Sequence, residues 1–220
     1  MTGTTVVGDF DGVLPGHLEL LAACAPPVVA VVVDDPAADR LLTTVERRLE
    51  LLAAAGVEEA RVAAARPQLG GREVVEAPRL GGDVRDHVAA GRVRDAAALL
   101  GRPPELEGTV VGGDARGTGL GFPTANLALD PRLLVPRYGI YAGAALGHRA
   151  AISIGTNPHY GGGEQRIEAF LLDFEGDLYG RRLVVELWER LRDERAFATE
   201  AELVEQIARD VEAARAAVRP

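Results

Sequence analysis

The hydrophobic periodicity of this chain changes once, at Gly101-Arg102-Pro103-Pro104, and that change limits the architectures open to it more than any other feature. Before it, short β-branched runs alternate with alanine- and leucine-rich helical stretches. Strands are expected at Thr4–Gly8, Val28–Val33, Ala60–Ala64 and Val74–Glu76. Helices are expected at Pro15–Ala23, Val84–Ala90 and Val93–Leu100, and one opens at Thr43, where Glu46 completes a capping box, and closes at Gly56. A β-α-β-α order with continuously apolar strands points to a small parallel sheet of Rossmann type. Gly101 stops the last helix and the prolines favour an extended joint, so the domains are read as 1–102 and 103–220.

After Pro104 the pattern is strand after strand, with glycine-rich turns between. Glu107–Gly112, Tyr138–Leu146, His148–Ile154, Gln165–Phe174 and Arg181–Leu191 are strand-length runs. In Leu183-Val184-Val185-Glu186-Leu187 one face is wholly apolar and the other mixed, as in a barrel strand. Strands without intervening helices imply an antiparallel barrel. One helix ends the chain: Thr199 and Glu202 form a capping box, and Leu203, Ile207 and Val211 recur along one face.

Composition narrows the chemistry. With 47% hydrophobic and 26% charged residues the 220-residue chain is globular rather than disordered. A net charge of −9 and a pI near 5.0 argue against nucleic acid and anionic membrane as partners. All 24 basic residues are arginine. Schiff-base lysine chemistry and the Walker A lysine are therefore excluded, and bound phosphate must be held by backbone N–H groups, arginine or a metal. The single cysteine, Cys24, leaves no disulfide framework or cysteine zinc site and suits a reducing cytosol. The apolar run Ala25–Val33 is too short to span a bilayer, and Arg40 is the first arginine, so no signal peptide and a cytoplasmic location are expected.

The densest motif runs from Gly112 to Asn126. Gly112, Gly113 and Gly117, with Thr118, leave the backbone open, so that consecutive N–H groups can close on phosphate oxygens, and Arg116 can add a charged contact. A plain turn is the bland alternative. The loop is neither Walker A nor a Rossmann fingerprint, because it follows an antiparallel-type strand and opens no helix. After Pro123, Thr124 and Asn126 lie two apart in an extended segment and point to one side. A hydroxyl and an amide oxygen are hard neutral ligands suited to Mg²⁺.

These residues, with Gly108-Thr109-Val110-Val111, Leu120-Gly121-Phe122-Pro123-Thr124-Ala125-Asn126-Leu127, Tyr138-Gly139-Ile140-Tyr141-Ala142, Ile154-Gly155-Thr156-Asn157-Pro158, Ile167-Glu168-Ala169-Phe170, Asp177-Leu178-Tyr179-Gly180 and Leu191-Arg192-Asp193-Glu194, closely resemble riboflavin kinases. The likeness is strongest to the kinase module of the bacterial bifunctional riboflavin kinase/FMN adenylyltransferase family. It implies a six-stranded barrel with a C-terminal helix and transfer of phosphate from ATP to riboflavin with Mg²⁺, giving FMN. By the same resemblance Gly112, Gly113, Arg116, Gly117 and Thr118 hold ATP, Thr124 and Asn126 hold the metal, and Glu168 accepts the proton of the riboflavin 5′-hydroxyl. Arg192 and Phe197 would approach the isoalloxazine ring. Phe170 departs from the histidine that relatives often carry there.

Gly8-Asp9-Phe10-Asp11-Gly12-Val13-Leu14-Pro15-Gly16-His17 resembles the nucleotidyltransferase signature G-x-F-D-G-V-H-x-G-H. Here Leu14 stands for the first histidine, and Gly81-Gly82-Asp83-Val84-Arg85 stands where the family has S-S-T-x-I-R. Asp11, Leu14 and His17 therefore mark a degenerate nucleotidyltransferase site on a shortened Rossmann-like remnant. Riboflavin kinase activity is the leading expectation. A bifunctional enzyme that also makes FAD and a non-catalytic flavin-binding regulator are the alternatives.

Overall fold

A computed structural model describes residues 3–68, 73–112, 122–156 and 165–220. The chain forms two compact units: one holds the residues up to Arg85 with Leu99–Gly101 and Arg132–Leu134, and the other holds the remainder.

The first unit is built on β1 (Thr4–Gly8), β2 (Val28–Val33), β3 (Glu59–Ala63) and β4 (Glu73–Glu76), with α1 (Pro15–Ala23) and α2 (Val45–Ala54). The strands pair in parallel in the order β3-β2-β1-β4. The central strands are the buried ones: β1, Thr4-Thr5-Val6-Val7-Gly8, is buried at every position, and β2 is apolar throughout. The edge strands β3 and β4 are mostly exposed, so the expectation of continuously apolar strands holds for β2 alone. Val6, Ala30, Val32 and Leu52 form the core, and a fully buried leucine such as Leu52 contributes about 1.5–3 kcal/mol.

α2 starts one residue later than the sequence suggests. Thr44, not Thr43, caps it, accepting from Arg47 N at 3.1 Å. Thr43 is committed elsewhere: its hydroxyl donates to Asp11 Oδ1 (3.2 Å) and accepts from Gly12 N (2.9 Å). Two further helices, α3 (Gly82–Ala89) and α4 (Val93–Leu100), follow β4 in the chain.

The second unit is a closed antiparallel barrel of β5 (Glu105–Val111), β6 (Ala125–Leu129), β7 (Gly139–Ala145), β8 (His148–Thr156), β9 (Gln165–Leu171) and β10 (Arg182–Arg192), in the order β10-β5-β6-β9-β8-β7. Its interior is filled by alternate residues, among them Leu127, Ile152, Ile154, Ile167, Ala169, Val185 and Leu187. β6 is the strand absent from the runs read along the sequence, because polar Asn126 breaks its short apolar pattern. α5 (Glu200–Ala216) lies on the outside, where Ala214, with Ala217 beyond the helix end, packs against Ala142 and Trp188. Thr199 caps α5 as expected, accepting from Glu202 N at 3.2 Å.

β10 carries two register irregularities, between Leu187 and Glu189 and between Arg190 and Arg192. The second sets Arg192 opposite Ile140 of β7, a typical use of a bulge to re-aim a side chain. Gly139 makes room for it: a Cβ there would lie 2.5 Å from the Arg192 carbonyl oxygen, and its φ of +152° suits only glycine.

Candidate active site

Antiparallel pairing places residues directly opposite one another on the same face of a sheet. In β9, Ile167, Ala169 and Leu171 turn into the barrel, so Glu168 turns out of it. In β6 the neighbours Ala125 and Leu127 pack against the same interior, which sends Asn126 outward as well. The register then builds one row around the outer wall: Val111 opposite Asn126, Asn126 opposite Glu168, Glu168 opposite Ser153, Ser153 opposite Ile140, and Ile140 opposite Arg192. Residues separated by 66 positions, Asn126–Arg192, are thereby collected on one surface, where Glu168 and Arg192 stand three strand spacings apart, roughly 14 Å.

Within that row Glu168 is partly exposed and its Oε1 accepts from Arg166 NH1 at 3.2 Å. Arg166 sits two residues before it on the same face, so the carboxylate is steered without being enclosed. The Asn126 side-chain oxygen is buried and has no hydrogen-bond partner among the described residues. An orphaned carbonyl-type oxygen costs about 1–3 kcal/mol unless something fills its lone pairs, and a hard cation would do so. No group of three or more His, Cys, Asp or Glu residues that could hold a metal occurs among the described residues, so a cation here would rely on neutral oxygens, water and a phosphate-bearing substrate. Thr124 precedes β6 and lines a cleft of about 230 Å³ together with Val110, Pro123, Phe174 and Tyr179. Phe170, on the face of Glu168, meets Phe122 edge-on with ring centroids 5.5 Å apart, an apolar brace for the chain entering Pro123-Thr124.

Arg192 is held by the C-terminal helix. Its Nε donates to Asp210 Oδ1 (2.9 Å) and its NH2 to Asp210 Oδ2 (2.6 Å), and Gln206 Nε2 donates to the same carboxylate at 2.9 Å. This fork-to-fork pairing fixes the guanidinium plane. Phe197 follows on the segment after β10, with the Arg195 guanidinium 4.6 Å from its ring centroid. Of the glycine-rich loop, Gly112 leaves β5 beside the Val111–Asn126 pair, whereas Gly113, Arg116, Gly117 and Thr118 lie outside the described residues. Arg166, Ser153 and Asp210 were not singled out in the sequence. Asp210 alone left a signal, as an acid set among the apolar positions of α5.

In the first unit a cleft of about 830 Å³ opens at the carboxyl ends of the four parallel strands, lined by Asp9, Asp34, Asp39, Arg48, Arg79 and Arg85 among others. Asp11, Leu14 and His17 are not on its wall; all three are buried. Asp11 accepts from Leu42 N (2.9 Å), Thr43 N (3.0 Å), the Thr43 hydroxyl and Arg85 NH2 (2.5 Å), and Arg48 lies 3.6 Å away. His17 Nδ1 accepts from Leu14 N at 3.1 Å, so Nε2 carries the hydrogen and donates to the Pro78 carbonyl at 2.9 Å. Both ring nitrogens are spent on backbone. The turn they hold is strained, with φ of +49° at Phe10 and +42° at Val13.

Residues 100–218 match the family model described as riboflavin kinase. The chain is 42% identical over 132 residues to a bifunctional riboflavin kinase/FMN adenylyltransferase of Escherichia coli K12, a match that covers 58% of this chain and 42% of that protein. It is 38% identical over 136 residues to the Bacillus subtilis protein of the same name, with the same coverage. The matches thus span less than half the length of these relatives. A crystal structure titled macrolide-efflux protein from Streptococcus pneumoniae superposes with a TM-score of 0.80 at 26% identity, covering 98% of this chain and 94% of that one.

Proposed function

The chain belongs to the riboflavin kinase family, and from that premise we propose that residues 103–220 transfer the γ-phosphate of ATP to the 5′-hydroxyl of riboflavin, giving FMN and ADP. The observation that carries the reading is the cross-strand pair of Asn126 and Glu168, an unpartnered buried oxygen beside a steered carboxylate. Glu168 orients the 5′-hydroxyl and accepts its proton as the oxygen attacks phosphorus. Thr124 and Asn126 would hold Mg²⁺, which when bound neutralises charge on the phosphoryl group being transferred. Gly112, Gly113, Arg116, Gly117 and Thr118 are assigned to the ATP phosphates. Arg192, held flat by Asp210, and Phe197 are assigned to the isoalloxazine ring. Positioning and charge neutralisation are most of what phosphoryl transfer asks of a protein.

The first unit is read as a support without adenylyl-transfer activity. His17 and Asp11 have no capacity left for a nucleotide phosphate, and Leu14 offers none. Retained FAD synthesis is the second reading, and the open cleft beyond the four parallel strands is the observation in its favour. A non-catalytic regulator is disfavoured because Asn126 and Glu168 still meet. Riboflavin and ATP are the proposed partners, with the cytoplasm as their setting, and the net charge of −9 speaks against nucleic acid. Among the described residues no helix is long and apolar enough to cross a membrane. The test is to incubate purified protein with riboflavin, ATP and Mg²⁺ and separate the flavins. FMN and no FAD is expected; unreacted riboflavin would overturn the reading.

A further inference from the structure

Between the proposed base and the proposed ring-binding residues lies a further carboxylate, that of Glu194. Glu194 follows β10 two residues after Arg192, and its carboxyl group rests on the backbone of Gly155 in β8. A Cβ at Gly155 would come within 1.7 Å of Glu194 Oε1 and 2.6 Å of Oε2, so only glycine admits this approach. Gly155 lies on the outer face of β8, two residues along from Ser153, and Ser153 stands opposite Glu168. Gly155 and Glu168 are therefore diagonal neighbours, with Cα atoms roughly 7–8 Å apart. The Glu194 carboxylate has no hydrogen-bond partner among the described residues. Covering by the barrel wall pushes its carboxyl above the ordinary glutamate range, with Arg192 opposing the shift.

A riboflavin whose 5′-hydroxyl is at Glu168 and whose ring is at Arg192 and Phe197 must lay its polyol chain over this stretch of β8. We infer that Glu194 is the hydrogen-bond acceptor for the hydroxyls of that chain, and so selects flavins that carry a polyol over the bare ring system. A carboxylate is acceptor-only and can take two hydroxyl donors at once, which fits a run of neighbouring hydroxyls and no part of the ring's apolar edge. The inference rests on the kinase reading of the site.

The experiment compares two probes, riboflavin and lumiflavin, which has the same ring system with a methyl group in place of the polyol. Dissociation constants are measured by flavin fluorescence for the full chain and for Glu194→Gln, an exposed and nearly isosteric change. Riboflavin should bind the variant about 10-fold more weakly, as expected for a lost hydrogen bond to a charged group, while lumiflavin changes less than about twofold. Glu194→Asp should recover part of the riboflavin affinity. Equal losses for both probes would mean that Glu194 only props the segment carrying Phe197, and the inference falls; no loss for either also overturns it. Parent protein that phosphorylates riboflavin while the two probes respond alike refutes this inference alone. Parent protein that phosphorylates no riboflavin refutes the reading of the site, and this inference with it.

Discussion

Asn126 and Glu168 stand directly opposite each other in the pairing of β6 and β9, both turned away from the barrel core, and the Asn126 side-chain oxygen is buried without a partner among the described residues. A side chain that could bear on a metal and one that could take a proton are thus about 5 Å apart at their Cβ atoms, fixed by backbone hydrogen bonds rather than by a loop. Rigid strands hold such a pair to tighter tolerances than loops do.

Removing the base should slow turnover sharply without emptying the site. Glu168→Gln keeps the shape and the contact with Arg166 but cannot accept a proton. FMN formation should fall by roughly 10²-fold or more, with riboflavin affinity nearly unchanged. Steady-state kinetics beside equilibrium flavin binding separate the two effects, and parent-like turnover would remove Glu168 from the mechanism.

Losing one neutral oxygen ligand should weaken the metal's hold rather than the protein's. In Asn126→Ala and in Thr124→Ala a water would replace the side-chain oxygen, so the Mg²⁺ concentration for half-maximal activity should rise severalfold. Asn126→Ala should also leave thermal stability unchanged or slightly higher, because it deletes an unsatisfied buried group. Superimposable Mg²⁺ titrations would reduce both residues to shaping the strand.

His17 should matter to stability and not to flavin phosphorylation. His17→Ala strands the Leu14 N–H and the Pro78 carbonyl and opens a cavity at a fully buried site, costing roughly 2–4 kcal/mol. Tm should drop while FMN formation at low temperature holds. The parent protein, given FMN, ATP and Mg²⁺, should make no FAD above background; sustained FAD production would show that an alternative phosphate site survives in the first unit.

Asp173 and Arg215 link the turn after β9 to α5, with Arg215 NH1 2.7 Å from Asp173 Oδ2. The hydrogen bond from Arg215 holds the Asp173 carboxyl below the usual aspartate range, with partial desolvation opposing it. A carboxyl whose folded-state pKa is depressed adds stability above its unfolded value, about pH 4, and loses it as pH falls through the folded value. Asp173→Asn should therefore lower Tm only modestly at pH 7, because the pair is largely exposed to solvent, and the gap from the parent should close as pH falls below the ordinary aspartate value. Asparagine tolerates the φ of +56° at this position, so the backbone is unaffected. A gap independent of pH would assign the effect to something other than the ion pair.

Much of this protein is legible in the linear order of its residues. Alternation of apolar residues marks β10 as a barrel strand, β-branched runs between helical stretches mark β1 and β2 as strands of a parallel sheet, and Thr199 marks the start of α5. These are local signals, carried by periods of two and of about four residues, and tertiary packing did not override them. The motif residues Thr124, Asn126 and Glu168 are also visible as unusual polar positions in apolar company. What the order of residues does not contain is register. Asn126 faces Glu168, and Arg192 joins the same row, only because β6, β9, β8, β7 and β10 pair at particular offsets and a bulge before Arg192 shifts the last of them. Likewise, Asp11 becomes a buried anchor and His17 a backbone clip only when Leu42, Thr43, Arg85 and Pro78 arrive from distant parts of the chain. Hydrogen bonds between segments far apart in sequence depend on how strands and turns meet, and that is decided by burial of the whole unit rather than by any stretch within it.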